Sequence, residues 1–306
     1  MTIPLNDLKG LMPDQLRQIA TQMGEPAYRG DQLFEWLQVH QETDLTKMTN
    51  LPASFRHALL EAGAGTPALH LVETSASGSG KAVKFLFDLG NDSSGQNQGQ
   101  VEAVLIVDGD RRTACLSSQV GCALDCKFCA TAKMGFLRNL TAGQIVEQVH
   151  MLHQEARRRG ERLTNIVMMG MGEPLLNYDN VVKALKIIMD PEGISISRRR
   201  ITVSTAGVVP MIGRLGAETG VGLAISLHAV RDDVRNELVP LNRKHPIADL
   251  LDACRTYPGA SNARRITFEY AMLKGVNDSP QDAKELVQLI AGIPAKVNLI
   301  PFNPWP

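Results

Sequence analysis

At 306 residues with 44% hydrophobic content, the chain is long enough for one large domain with an ample core and a small second one. Its 32 basic side chains balance 32 acidic ones, so the overall charge announces no polyanionic partner. No apolar run approaches the ~18 residues of a membrane span, the N-terminus lacks the basic-then-apolar layout of a secretion signal, and five cysteines with three clustered do not form a disulfide framework. A cytoplasmic protein with no membrane contact, in a reducing compartment, is expected.

The first sixty residues carry three short amphipathic helical patterns, 13–23, 29–39 and 52–62, separated by Gly24-Glu25-Pro26 and by Leu51-Pro52. They make a helical module over residues 1–64. Strand-like runs at 69–74, 82–89 and 101–107 form a β extension over 65–111. Within it, Ser75-Ala76-Ser77-Gly78-Ser79-Gly80-Lys81-Ala82 imitates a phosphate loop but lacks the leading glycine and the Ser/Thr after lysine, so it reads as a turn. The stretch 90–100 has almost no apolar content and reads as a flexible hairpin insertion.

From Arg112 onward, β-rich runs alternate with helical ones: strands at 113–117, 165–169, 200–204, 222–226, 265–270 and 296–300, with helices at 141–159, 178–189, 209–218, 247–257 and 279–290 between them. Such alternation is the pattern of a parallel sheet with helical crossovers. The fold class is therefore α/β over residues 112–306. Charge is uneven along this plan. Residues 1–110 hold 7 Lys and Arg against 14 Asp and Glu, residues 111–200 hold 14 against 8, and the remainder 11 against 10. The runs Arg157-Arg158-Arg159 and Arg198-Arg199-Arg200 read either as phosphate contacts or as solvated helix faces and loop ends.

The most informative segment is Gly121-Cys122-Ala123-Leu124-Asp125-Cys126-Lys127-Phe128-Cys129, a C-x3-C-x2-C triplet with no fourth cysteine or histidine close behind it. Structural zinc sites want four protein ligands, commonly as two paired knuckles, so a lone triplet fits zinc poorly. Soft thiolates favour iron-sulfur clusters, and a 4Fe-4S cube held by three of them keeps one iron open for a small molecule. The bland readings are a zinc knuckle or ordinary cluster completed by Cys115, or three buried thiols.

With Phe128 before its last cysteine, this triplet resembles the signature of the radical S-adenosylmethionine (SAM) superfamily. Gly170-Met171-Gly172-Glu173-Pro174, Ser204-Thr205-Ala206-Gly207, Ser226-Leu227-His228 and Pro301-Phe302-Asn303-Pro304 extend the resemblance, in order, to one branch, the RNA adenine-C2 methyltransferases (RlmN-like), from about Leu5 to the last residue. The resemblance implies a partial, six-stranded (β/α)6 barrel with a small N-terminal helical module and a β-hairpin extension. It implies a 4Fe-4S cluster on Cys122, Cys126 and Cys129, with SAM on its open iron. Gly172 and Glu173 would receive the SAM amino group, and Ser204, Ser226, Leu227, His228 and Asn303 would line the rest of the cofactor.

The implied reaction methylates the C2 carbon of an adenosine in 23S ribosomal RNA and, in many members, transfer RNA. Adenine C2 is an electron-poor C–H position with no nucleophile to offer, so a radical route is needed. In the family a methyl group first placed on a C-terminal cysteine supplies the carbon. Cys115 matches the resolving cysteine that later forms a disulfide, and Glu102 matches the proposed proton acceptor, base-like if buried. Read alone, Cys115 is a core thiol, Glu102 an outward-facing strand residue, Glu173 a solvated turn residue and His228 a structural histidine. Cys254 corresponds to no functional cysteine.

No cysteine follows Cys254, whereas the family carries its methyl-bearing cysteine beyond this point. The chain alone is expected to bind the cluster and SAM without completing methyl transfer. An electron donor such as flavodoxin is implied, and a monomer is expected. The competing readings are a relative that methylates C8 of the same adenine, a non-catalytic RNA- or SAM-binding remnant, and a structural zinc protein.

Overall fold

The computed structural model describes residues 3–66, 69–91 and 94–302. The chain divides into two compact units: residues up to 116 with the returning segments 139–165 and 179–197, and residues 117–138, 166–178 and 198 onward.

Three helices open the first unit, α1 (Pro13–Gln22), α2 (Tyr28–Gln38) and α3 (Ala53–Glu61). Pro13 takes the first position of α1, where a missing N–H is harmless. Leu16, Ile19 and Ala20 on α1 and Leu33, Phe34 and Leu37 on α2 are buried, the 3–4 spacing of an amphipathic helix. Gly30 lets the pair close, since a Cβ there would strike the backbone of Leu16 and Arg17.

Four antiparallel strands follow in a meander: β1 (His70–Ala76), β2 (Ala82–Asp88), β3 (Gln100–Asp108) and β4 (Arg111–Cys115). The imitation phosphate loop is the β1–β2 turn, closed by Gly80 N–H donating to the Ser77 carbonyl at 2.8 Å. In the polar β2–β3 connection Asn91 bridges to Asn97, and Gln98 N–H donates to Gly90 O at 2.8 Å.

The cysteine triplet is framed by β5 (Gln119–Gly121), the single turn α4 (Ala130–Lys133) and β6 (Phe136–Asn139), with β5 and β6 forming a two-stranded ribbon. Next come α5 (Ala142–Arg158), β7 (Asn165–Met168) and α6 (Tyr178–Met189). Helix α5 starts at a capping box: Gln144 N–H donates to Thr141 Oγ1 at 3.2 Å while Thr141 N–H donates to Gln144 Oε1 at 3.1 Å. It packs in the first unit, where the buried ammonium of Lys9 pairs with Glu147. Arg158 and Arg159, at the C-terminal end of α5, pair with Glu155 one turn back, a favourable place for cations beside unpaired carbonyls.

The second unit continues through β8 (Ile201–Thr205), α7 (Val209–Thr219), β9 (Gly222–Ser226), α8 (Asp232–Leu238), α9 (Ile247–Arg255), β10 (Ile266–Met272), α10 (Pro280–Leu289) and β11 (Ala295–Pro301). Its strands pair in parallel in the order β7-β8-β9-β10-β11, with Ile166 beside Ile201, Val203 beside Leu223, Ile225 beside Phe268 and Tyr270 beside Leu299. Ile166, Val203, Leu223, Ile225 and Phe268 are all buried. The helical crossovers therefore follow from the sequence pattern, and they bring every strand's C-terminal end to one side of this sheet. Five of the six anticipated strands lie here, and the sixth is β4 of the first unit.

Candidate active site

A cavity of about 260 Å3 opens at the C-terminal ends of these parallel strands. Cys122, Cys126 and Cys129 line it together with Gly172, Glu173, Ser204, Ser226 and His228. Residues up to 106 positions apart in the chain, Cys122 and His228, thus meet in one place.

The floor is stitched by the segment that follows β7. Met171 N–H donates to Ser117 Oγ at 2.8 Å, Ser118 N–H donates to Met171 O at 2.9 Å, Glu173 N–H donates to Gln119 Oε1 at 2.8 Å, and the Asn177 amide donates to Ser118 O at 2.8 Å. Gly172 has φ +92°, and a Cβ on it would lie 2.5 Å from Cβ of Gln119 and 2.9 Å from its nitrogen. Only glycine satisfies both the conformation and the approach. Glu173 is buried, with Oε1 accepting from Leu175 N–H at 3.0 Å and Oε2 from Ala206 N–H at 2.7 Å. Burial pushes its carboxyl up from the ordinary range, and the backbone donors of Ala206 and Leu175 oppose that.

The cysteine loop is held at its entrance. Gly121 has φ +72°, a Cβ there would fall on the Gly135 carbonyl oxygen, and Cys122 N–H donates to that same oxygen at 2.9 Å. Lys127 N–H donates to Leu238 O at 3.0 Å, and Cys129 N–H to Cys126 O at 3.1 Å. All three thiols are half-buried and none is in a disulfide. Burial, followed by the neighbouring Cys129 and Cys122, pushes Cys126 up to about 12, and burial pushes Cys122 up as well. The bare thiols of Cys122 and Cys126 are thus neutral until a metal displaces their protons.

Among the described residues no three His, Cys, Asp or Glu side chains close around a point tightly enough for one metal ion. A 4Fe-4S cube takes its thiolates on separate irons and spreads them more widely than one ion does. Three convergent soft donors without a fourth fit that group and fit a four-ligand zinc poorly.

His228 holds φ +59°, strained for a residue with a side chain, and is buried. Its Nδ1 accepts from Ala271 N–H at 3.0 Å, which puts the proton on Nε2. Burial, helped by the nearby cation Arg235, pulls its pKa down to about 3, so the imidazole is neutral. Phe128 stands edge-on to it with centroids 4.4 Å apart. The histidine is therefore both satisfied by the backbone and part of the cavity wall. Leu227 is buried beneath the wall, its N–H donating to Glu269 O at 3.1 Å.

Two charged residues of this site were missed by sequence reasoning. Glu269 on β10 lines the cavity and accepts from the Asn298 amide at 2.6 Å, with burial raising its carboxyl. Its signal was a lone carboxylate in the apolar run Ile266–Met272. Arg235 on α8 is fully buried, and its guanidinium donates to Leu227 O at 2.9 Å, Ala206 O at 2.7 Å, Ser226 O at 3.0 Å and Asn242 Oδ1 at 2.7 Å. Burial lowers it to about 10, which leaves it charged at neutral pH.

Two further sequence candidates, Cys115 and Glu102, belong to the first unit. Cys115 is a half-buried thiol on β4 opposite Val104, in the first unit. Glu102 on β3 is 42% exposed and pairs with Lys84 at 2.8 Å, so the burial that would make it base-like is not found. Asn303 lies outside the described residues. Arg199 of the arginine run lines a cavity of about 340 Å3 at the opposite, N-terminal ends of β8 to β11, with Arg264, Arg265 and Lys296.

Residues 116–290 match the family model of the radical SAM superfamily, and residues 6–63 match that of the ribosomal RNA large subunit methyltransferase N-terminal domain. Among curated relatives, the dual-specificity RNA methyltransferase RlmN of Rhodopseudomonas palustris is 53% identical over 302 residues, covering 96% of this chain and 75% of that protein. The protein of the same name from Rhodospirillum rubrum is 50% identical over 318 residues, covering all of this chain and 72% of its own length. The crystal structure of a radical SAM methyltransferase from Sphaerobacter thermophilus superimposes with a TM-score of 0.88 at 44% identity, over 98% of this chain and 86% of that one. No helix among the described residues is long and apolar enough to cross a membrane. The chain belongs to the RlmN family of the radical SAM superfamily.

Proposed function

We propose that the chain is a radical SAM RNA methyltransferase acting on the C2 carbon of an adenosine in 23S ribosomal RNA and in transfer RNA. The observation that carries this reading is the convergence of Cys122, Cys126 and Cys129 with Glu173, Ser204, Ser226 and His228 on one cavity at the C-terminal ends of parallel strands. In a chain of this family, that is where the cofactors belong.

On this reading the three thiolates hold a 4Fe-4S cluster, and SAM occupies the cavity beside them. Together those groups supply one-electron chemistry at carbon, which a C–H position without a nucleophile requires. Glu173 spends one lone pair of each oxygen on backbone N–H groups and keeps acceptor capacity for an ammonium. Gly172 and Glu173 thus take the amino group, while Ser204, Ser226, Leu227, His228 and Asn303 line the remainder. The neutral imidazole of His228 offers an Nε2–H donor whose protonation does not change near neutral pH. Leu124, Phe128, Met168 and Ile300 give the cavity an apolar wall that limits water near a reactive species.

Cys115 acts as the resolving thiol and Glu102 as proton acceptor, the latter exchanging Lys84 for substrate. The helical module of residues 1–64 helps hold RNA, the donor is a one-electron carrier such as flavodoxin, and the working form is a monomer.

The test is anaerobic reconstitution of the chain, incubation with SAM, a one-electron reductant and a ribosomal RNA fragment, and mass spectrometry of the products. Release of 5′-deoxyadenosine by the chain supports the radical reading, and 2-methyladenosine is expected only when a protein carrying a methyl-bearing cysteine is supplied, since no cysteine follows Cys254 in this sequence. A cluster-loaded chain that binds RNA yet releases no 5′-deoxyadenosine overturns it, and 8-methyladenosine would move the regiochemistry to the other carbon.

A further inference from the structure

Arg235 is a fully buried cation, and among the described residues its hydrogen bonds go to three backbone carbonyls and one amide oxygen, none of them a carboxylate. A guanidinium removed from water with no carboxylate hydrogen-bonded to it costs several kcal/mol, and the charge of Asp232 reaches it only through Asn242. Asp232 on the same helix accepts from the Asn242 amide and from Ile247 N–H, so it acts on the guanidinium without a direct hydrogen bond. Direction is given by what Arg235 touches. Its Nη2 bonds Ala206 O, and Ala206 shares an apolar cluster with Leu238, against which Cys126 and Phe128 pack. The neighbouring N–H of Ala206 is the donor to Glu173. The cation therefore sits directly behind the wall formed by the cysteine loop and the end of β8.

We propose that Arg235 is a positioning residue whose buried positive charge compensates the anionic iron-sulfur cluster on Cys122, Cys126 and Cys129 and raises its reduction potential. This rests on the reading that those thiolates hold a 4Fe-4S cluster. Adding one electron from a one-electron donor, with no proton, makes such a cluster one charge more negative. A fixed cation in a dry interior stabilises the reduced form more than the oxidised one. The same fork ties the ends of β8 and β9 together through Ala206 O, Ser226 O and Leu227 O, so charge and geometry have to be separated experimentally.

The separating experiment is a potentiometric titration of the reconstituted chain, followed by low-temperature electron paramagnetic resonance, for wild type, R235Q and R235K. R235Q keeps donors but loses the charge, and it is expected to disfavour reduction at least tenfold, a midpoint lower by about 59 mV for a one-electron couple. R235K loses the fork but keeps the charge, and its midpoint is expected to stay close to wild type. An unchanged midpoint in R235Q overturns the proposal, as does an equal shift in both variants, which marks a purely geometric role. Should R235Q fail to load, the neutral R235M takes its place, with a lowered midpoint beside an unmoved R235K supporting the proposal and an unchanged one overturning it. A wild-type chain that takes up no cluster overturns the cluster reading and this inference with it, whereas a normal wild-type signal beside an unresponsive R235Q removes only Arg235.

Discussion

Glu173 Oε2 accepts the backbone N–H of Ala206 at 2.7 Å, so one carboxylate clasps the loop after β7 to the end of β8. Those two segments form the cavity's floor and side, and the clasp fixes their spacing before any ligand arrives. Glu173→Ala leaves the N–H groups of Leu175 and Ala206 without acceptors, at a cost of roughly 1–3 kcal/mol each where water cannot replace them. Urea unfolding should report that loss, and the SAM-dependent change in the cluster's paramagnetic signal should disappear.

The same residue predicts a pH dependence. Burial raises the folded-state pKa of Glu173, so the folded chain holds this proton more tightly than the unfolded one. Its contribution to stability is full below the ordinary carboxylate value and is lost as pH rises through the raised folded value. Comparison with Glu173→Gln isolates it: the stability of wild type relative to the variant should increase as the pH is lowered from neutral. A difference flat with pH would show that the carboxylate is ionised at no cost.

His228 runs the other way. Its folded pKa is depressed to about 3, so its contribution is present above the ordinary histidine range and is lost as pH falls through that range toward the folded value. Acid unfolding of wild type should therefore begin earlier than that of His228→Asn once the variants are compared at equal neutral-pH stability. SAM binding should show no inflection from His228 near neutral pH, and isothermal titration across that range checks this.

Gly121→Ala should be among the most damaging small substitutions in the chain. Its Cβ would occupy the position of the Gly135 carbonyl oxygen, the acceptor for Cys122 N–H. The ribbon of β5 and β6 must open, and iron and sulfide content after reconstitution should fall below half of wild type. By contrast, Cys254→Ala should leave metal content unchanged, since that thiol is buried on α9 and faces no part of the cavity lining.

In the first unit, Lys9 is buried against Glu147, and α5 packs on the segment that carries it. Lys9→Met strands the Glu147 charge and should cost about 3–5 kcal/mol, whereas joint replacement of both by apolar residues should recover most of that. Chemical denaturation of the two single variants and the double variant closes the cycle.

Period and punctuation carried most of the architecture. The runs that became β7 to β11 are apolar and bounded by turns, and α6 spans the same residues 178–189 as the helical run between two of them. Other parts had no such signal. β5 has three residues and β6 four, too short for alternation to show, so the ribbon that frames the cysteines was not anticipated. Helix α8 reads as Asp-Asp-Val-Arg-Asn-Glu-Leu, which looks like a solvated face, and nothing local says that its arginine turns inward to three carbonyls contributed by other elements. The three cysteines that line the cavity were legible because soft-donor chemistry is local, whereas Gly172 came only from the family resemblance. Glu269 and Arg235 were not legible, because burial is a property of the neighbours.

The pinched entrance at Gly121 also bears on how the chain acquires iron. Small metal domains commonly remain unfolded until the metal supplies the folding energy. Here the cysteine loop is already tethered at Gly135, at Leu238 and within itself from Cys129 to Cys126, none of which requires a metal. Most of the ordering entropy of that loop is spent when the polypeptide folds. Assembly then becomes delivery to a waiting receptacle, so the iron-free protein should fold, persist and be loaded late.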